Sequence, residues 1–199
     1  NKVKEIKEFF TGYDVCALGE VLDPFEIDEC GTSFKQNALI KVRAVYEALK
    51  SKNLQSEFFV LSDDSGICVD ALGGAPGIFS ARFSGSDATD ASNREKLAAS
   101  LRALGLEESP AHYTAAIALK CDLGEFCTHG FMYGTAITQQ RGQNGFGYDF
   151  MFIPRGFHRT IGELPAAVKF KISHRTKGLA LMQILLKNLE KQIGLAKFH

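Results

Sequence analysis

Asp63 and Asp64 stand side by side where an apolar run, Phe58-Phe-Val-Leu61, gives way to Ser65 and Gly66. A short apolar run bounded by polar residues and glycine reads as a buried strand, and buried strands belong to sheets covered by helices. The chain supplies the covering elements. Its patterns predict helices over residues 3–10, 33–52, 90–104 and 173–193, and strands over 57–61, 67–69, 113–120, 125–132 and 150–153. Helices interleaved with isolated strands, with an antiparallel run in the middle, point to an α/β fold with a mixed central sheet. In such sheets ligands gather at the carboxyl ends of strands, where the aspartate pair is expected. A polar turn closing a strand is the ordinary use of Asp-Asp-Ser-Gly; paired carboxylates also suit a hard divalent cation with a phosphate.

At 199 residues the chain has ample length for a core and fits one domain, or one domain of two lobes. With 16 Phe and no Trp, aromatic core volume is expected to rest on Phe. The formal net charge is zero, which argues against a nucleic-acid or membrane-surface partner; an anionic substrate would need a local basic cluster. No apolar run reaches membrane-span length and no signal-peptide pattern is present. Five cysteines at irregular spacing (Cys16, Cys30, Cys68, Cys121, Cys127) fit neither a disulfide framework nor a zinc site. The expected setting is cytoplasmic.

Three patterns put polar chemistry where packing alone would not. On the helix from Ser33, Lys41 falls inside the stripe of Phe34, Ala38, Val42, Val45 and Leu49, with Asn37 one turn earlier. A lysine aimed at a core either snorkels to water or meets an anion. The second pattern is Arg141-Gly-Gln-Asn-Gly-Phe-Gly-Tyr-Asp149. Its Phe146, flanked by glycines, is placed either to stack on a base or to fold onto the core. The third is Lys169-Phe-Lys-Ile-Ser-His-Arg175. Ser173 is an expected N-cap, and basic His174 and Arg175 in a first helical turn oppose the helix dipole unless they meet an anion or acceptor. His112, His129, His158 and His199 show no metal-ligand spacing, and Ser65 lacks the Gly-x-Ser-x-Gly elbow of a hydrolase nucleophile.

Taken in order, Phe34-Lys-Gln-Asn-Ala-Leu-Ile-Lys41, Ser62-Asp-Asp-Ser-Gly66, Leu72-Gly-Gly-Ala-Pro-Gly77, Ser80-Ala-Arg-Phe-Ser-Gly85, Gly145-Phe-Gly-Tyr-Asp149 and Ile172-Ser-His-Arg175 resemble the motifs of the inosine/xanthosine triphosphate pyrophosphatases across nearly the whole chain. The resemblance implies a twisted mixed sheet flanked by helices, in two lobes with the active-site cleft between them, as one domain over residues 1–199. It implies Mg2+-dependent hydrolysis of ITP, dITP and XTP to the monophosphate and pyrophosphate, by a homodimer. By the same resemblance, Asp64 is metal ligand and general base, and Asp28 or Glu29 is the second metal acid. Lys41 is catalytic, Lys2 and Lys169 face phosphate, and Ser65 touches substrate. Phe146, Gly147, Tyr148, Asp149, Ser173, His174 and Arg175 form the base pocket. Gln36, Phe150 and Val168 depart from the family pattern, and the strand that precedes the Lys2 loop in the family is expected ahead of Asn1. A non-catalytic nucleotide sensor and a general phosphatase are the competing classes.

Overall fold

Three strands and the segments between them account for most of the folding logic of this chain. The computed structural model describes residues 2–196, with helices α1 (Lys2–Phe9), α2 (Leu18–Val21), α3 (Phe34–Lys50), α4 (Asp90–Ala103), α5 (Ala166–Ile172) and α6 (His174–Ala196). The strands are β1 (Val60–Val69), β2 (Glu108–Cys121), β3 (Gly124–Ile137) and β4 (Phe152–Pro154), in sheet order β1-β2-β3-β4. Only Asp122 and Leu123 separate β2 from β3, a connection short enough for an antiparallel hairpin. β4 runs antiparallel to β3, with Gly134, Thr135 and Ala136 opposite Pro154, Ile153 and Phe152.

The chain divides into two compact units. One is drawn from the chain up to Asp64, from Ala116–Gly130 and from Arg175 onward; the other is Ser65–Ala115 with Phe131–His174. In the first, Ser33 caps α3 by accepting from the Gln36 N–H at 3.2 Å. That start phases Ala38, Val42 and Leu49 onto Leu22, Val60, Ala116 and Ala118. In the second, Thr89 caps α4 and accepts from Ser92 N–H at 3.1 Å. Leu97 and Leu101 then pack with Ile67, Val69, Tyr113, Met132, Met151 and Phe152. Aliphatic, methionine and aromatic side chains fill this core together, with Tyr113, Tyr148 and Phe152 among its buried residues and Phe83 packed against it. Phe79 and Phe131, by contrast, are exposed.

One expectation is overturned. The expected strands over 57–61 and 67–69 become one strand, Val60–Val69, with Glu57 in a short 3-10 turn before it, and Asp63-Asp64-Ser65-Gly66 lies inside that strand, not at its carboxyl end. The polar residues read as a turn because their partners come from distant sequence. Ser62 Oγ donates to the Ala38 carbonyl at 2.7 Å, and both aspartates meet cations from other elements. Gly66 is required by close approach: a Cβ there would stand 2.4 Å from both the Gly77 carbonyl oxygen and Ser80 Oγ. The short helices α2 and α5, of four and seven residues, carried no periodic signal long enough to read.

Candidate active site

In the first unit, the acid pair is split between two sets of partners. Asp64 Oδ1 accepts from Lys41 Nζ at 2.9 Å, and the same ammonium lies 3.1 Å from Glu29 Oε2. The placement of Lys41 in the apolar stripe is thereby explained. Its stem lines an apolar cavity with Leu18, Val21, Val45 and Val60, and its ammonium ends on carboxylates. Burial alone would push the Lys41 ammonium down, but Asp64 and then Glu29 outweigh it and hold its pKa up. Gly31 donates its N–H to Asn37 Oδ1 at 2.9 Å, which ties the loop carrying Glu29 to α3 one turn before Lys41. Of the two loop acids, Glu29 reaches Lys41 and Asp28 stands exposed.

Asp63 meets different cations. Its Oδ1 lies 2.8 Å from Lys2 Nζ, and its Oδ2 accepts from Arg175 Nε at 2.7 Å. Arg175 also donates through Nη1 to Glu5. Burial pushes the Asp63 carboxyl up, yet Lys2 and Arg175 outweigh it and hold it well below the usual carboxylate range. The same contacts, with Glu5, keep the buried Arg175 guanidinium charged against its desolvation. Glu5, on α1, matches the last position of the family's Lys2 loop motif, but nothing local in its sequence signals that it pairs with a buried arginine 170 residues away.

In the second unit, Lys169 Nζ lies 4.3 Å from the Phe146 ring centroid and 2.5 Å from Asp149 Oδ2. Asp149 Oδ2 also accepts from the Phe146 N–H at 3.0 Å. Gly145 sits at φ +96°, where a Cβ would fall 2.2 Å from that same oxygen, so both conformation and space call for glycine. Tyr148 is buried and donates its hydroxyl to the Ser80 carbonyl at 2.8 Å; burial and then Asp90 push its phenol pKa up. His174 stacks on Tyr113 with ring centroids 4.7 Å apart and planes at 14°. Ser173, buried, is the single residue between α5 and α6, and Ser65 opens this unit on β1. Phe146, Gly147, Tyr148, Asp149 and Lys169 are thus one cluster, while Lys41, Asp64 and Glu29 are another, and Lys2 and Arg175 gather on Asp63.

A divalent cation can be tested against these residues. Asp64 Oδ2 is buried and has no hydrogen-bond partner among the described residues. A buried carboxylate oxygen left bare is costly unless it meets a cation or donor. Among the described residues no three His, Cys, Asp or Glu side chains form a ligand group. Mg2+ does not need one: it is commonly held by one or two carboxylates with water and substrate phosphates. Asp64 and Glu29, whose oxygens already converge on one ammonium, fit that donor set.

The model of the Ham1 family matches residues 1–184. A dITP/XTP pyrophosphatase of Campylobacter fetus subsp. fetus (strain 82-40) is 61% identical over 191 residues, covering 96% of this chain and 94% of its own. A dITP/XTP pyrophosphatase of Nautilia profundicola is 51% identical over 188 residues, covering 94% and 93%. Among solved structures, the Staphylococcus aureus Ham1 protein aligns with a TM-score of 0.82 at 32% identity, over 94% of this chain and 93% of that one. A nucleoside-triphosphatase (dITP/XTP pyrophosphatase) from Mycobacterium abscessus aligns with a TM-score of 0.70 at 38% identity, over 92% and 93%.

Proposed function

The chain belongs to the Ham1 family, and from that premise we propose that it hydrolyses non-standard purine nucleoside triphosphates (dITP, ITP and XTP) to the monophosphate and pyrophosphate. The observation that carries the chemistry is the bare, buried Asp64 Oδ2 beside the Lys41 ammonium. A water oriented by Asp64 attacks an internal phosphorus; its oxygen forms the new P–O bond, the bond to the pyrophosphate oxygen breaks, and Asp64 takes the proton. Mg2+ bound by Asp64 and Glu29 would supply positive charge against the phosphate oxygens. Lys41, beside Asp64, and Lys2 offer ammonium charge to the triphosphate. Phe146 provides a face for the purine, with Lys169 beside it and Gly147, Tyr148 and Asp149 in the same cluster. A donor aimed at the 6-oxo group would meet another donor in adenine, which a buried site rejects strongly.

The cytoplasmic setting is supported by five cysteines that are all free thiols. The homodimer rests on the family resemblance.

Incubation with Mg2+ and each of ITP, XTP, ATP and GTP, with pyrophosphate and inorganic phosphate assayed in parallel, tests the reading. Pyrophosphate from ITP and XTP, with little product from ATP and GTP, is the expected result. Replacing Asp64 by Asn should lower kcat by about a hundredfold or more. Inorganic phosphate as the product, or an active Asp64→Asn enzyme, refutes it.

A further inference from the structure

Two residues of α4, one turn apart, close on a single residue of the glycine-rich loop. Gly147 donates its N–H to Asp90 Oδ2 at 2.8 Å, and its carbonyl accepts from Arg94 Nη1 at 2.9 Å. Arg94 grips the loop at two further points. Its Nε donates to Gln140 Oε1 at 2.7 Å, and its guanidinium lies 4.8 Å from the Phe150 ring centroid. One side chain therefore touches the loop where it begins, immediately after Phe146, and where it ends.

The loop needs such a restraint. Gly142, Gly145 and Gly147 all have positive φ, at +93°, +96° and +57°. A segment with three glycines surrenders more conformational freedom on ordering than one built of other residues. Phe146 lies between two of them, and a ring can offer a stacking face only if its backbone is held. Charge-assisted bonds to both polar groups of the next residue supply that hold, and the planar guanidinium serves three contacts from one side chain.

We propose that Asp90 and Arg94 are positioning residues that fix Phe146 and so set affinity for the purine base and discrimination between bases. The inference rests on the reading above that Phe146 meets the base. Neither residue need touch substrate: they act through the two peptide units that flank the Gly147 Cα.

The test compares wild type with Arg94→Ala, Arg94→Lys, Asp90→Ala and Asp90→Asn. The readouts are kcat and KM for ITP and ATP and the dissociation constant of inosine monophosphate by calorimetry. Arg94→Ala should raise KM for ITP and the monophosphate dissociation constant together by about tenfold, with kcat within about twofold. The preference for ITP over ATP should fall by about fivefold. Arg94→Lys keeps the charge but lacks the fork, so its losses should lie in between, and it serves if the alanine variant does not fold. Asp90→Ala should raise KM by about three- to fivefold, and Asp90→Asn, whose amide oxygen accepts the same N–H, should recover most of that loss. The double alanine variant should lose less than the product of the two, because both hold the same residue, Gly147. Folded alanine variants with wild-type KM, dissociation constant and base preference overturn the proposal, as does a fall in kcat with binding unchanged. A wild-type protein that releases no pyrophosphate from ITP refutes the function itself, and the inference with it, before any variant is compared.

Discussion

Replacing Asp63 by Asn isolates the ion cluster that joins α1, β1 and α6. Only 2% of the Asp63 side chain and 3% of the Arg175 side chain is exposed, whereas Lys2 is 43% exposed. Lys2 therefore recovers water when its partner is neutralised, and Arg175 does not. Breaking a buried ion pair from one side costs about 3–5 kcal/mol. Arg175 keeps Glu5 as a counter-charge, so the lower end, about 3 kcal/mol, is expected for this variant. In a protein of this size that lowers Tm by about 6–12 °C. Acid should reduce the difference between the two proteins. Asp63 is held below its ordinary value near 3.8 in the folded chain by Lys2 and Arg175, against burial. A depressed carboxylate contributes its full stability above the unfolded pKa and loses it as the pH falls toward the folded one. Urea unfolding at pH 7, 5, 4 and 3 should show a constant gap from pH 7 to about 5 that narrows below about 4. A gap under about 1 kcal/mol at pH 7, or one that widens in acid, would refute the reasoning.

Gly66→Ala places a methyl 2.4 Å from a backbone carbonyl and from Ser80 Oγ. It should destabilise the protein by about 1–3 kcal/mol, and an unchanged Tm would show that the strand can shift to admit it. Phe146→Ala removes a stacking face worth about 1–3 kcal/mol, raising KM for ITP by roughly five- to 150-fold with little change in kcat. Wild-type KM in that variant would take Phe146 out of the base contact.

What could be read from the chain alone was the part that repeats or clusters locally. The helices α3, α4 and α6 were legible from their residue patterns; in α3 the apolar spacing runs through several turns, and Ser33 marked its start. Lys41 was legible as an anomaly, a charge inside an apolar stripe, and the structure supplies its anions. The course of β1 was not legible. Its central residues are polar because they serve Lys2, Arg175, Lys41 and Ala38, none of which is near in sequence. The choice between Asp28 and Glu29 likewise waited on which side chain reaches back to α3. Asp90 and Arg94 escaped notice because a charged pair one turn apart on an exposed helix face is the commonest surface pattern there is. Their partner is a backbone group about fifty residues away.

The continuity of β1 through the aspartate pair gives residue parity the force of an address. Successive side chains on a strand face opposite ways, so two like charges can be neighbours in the chain without sharing surroundings. Asp63 is neutralised by fixed cations, and Asp64 keeps one oxygen in reserve. Substitution and length change then carry unequal risks in this segment. A single substitution disturbs one of the two tasks. Inserting one residue upstream in the strand would carry Asp63 to Lys41 and leave Ser62 before Arg175; deleting one would carry Asp64 to Arg175 and leave Ser65 before Lys41. Length in β1 should therefore be held more tightly over evolutionary time than the identity of most residues along it.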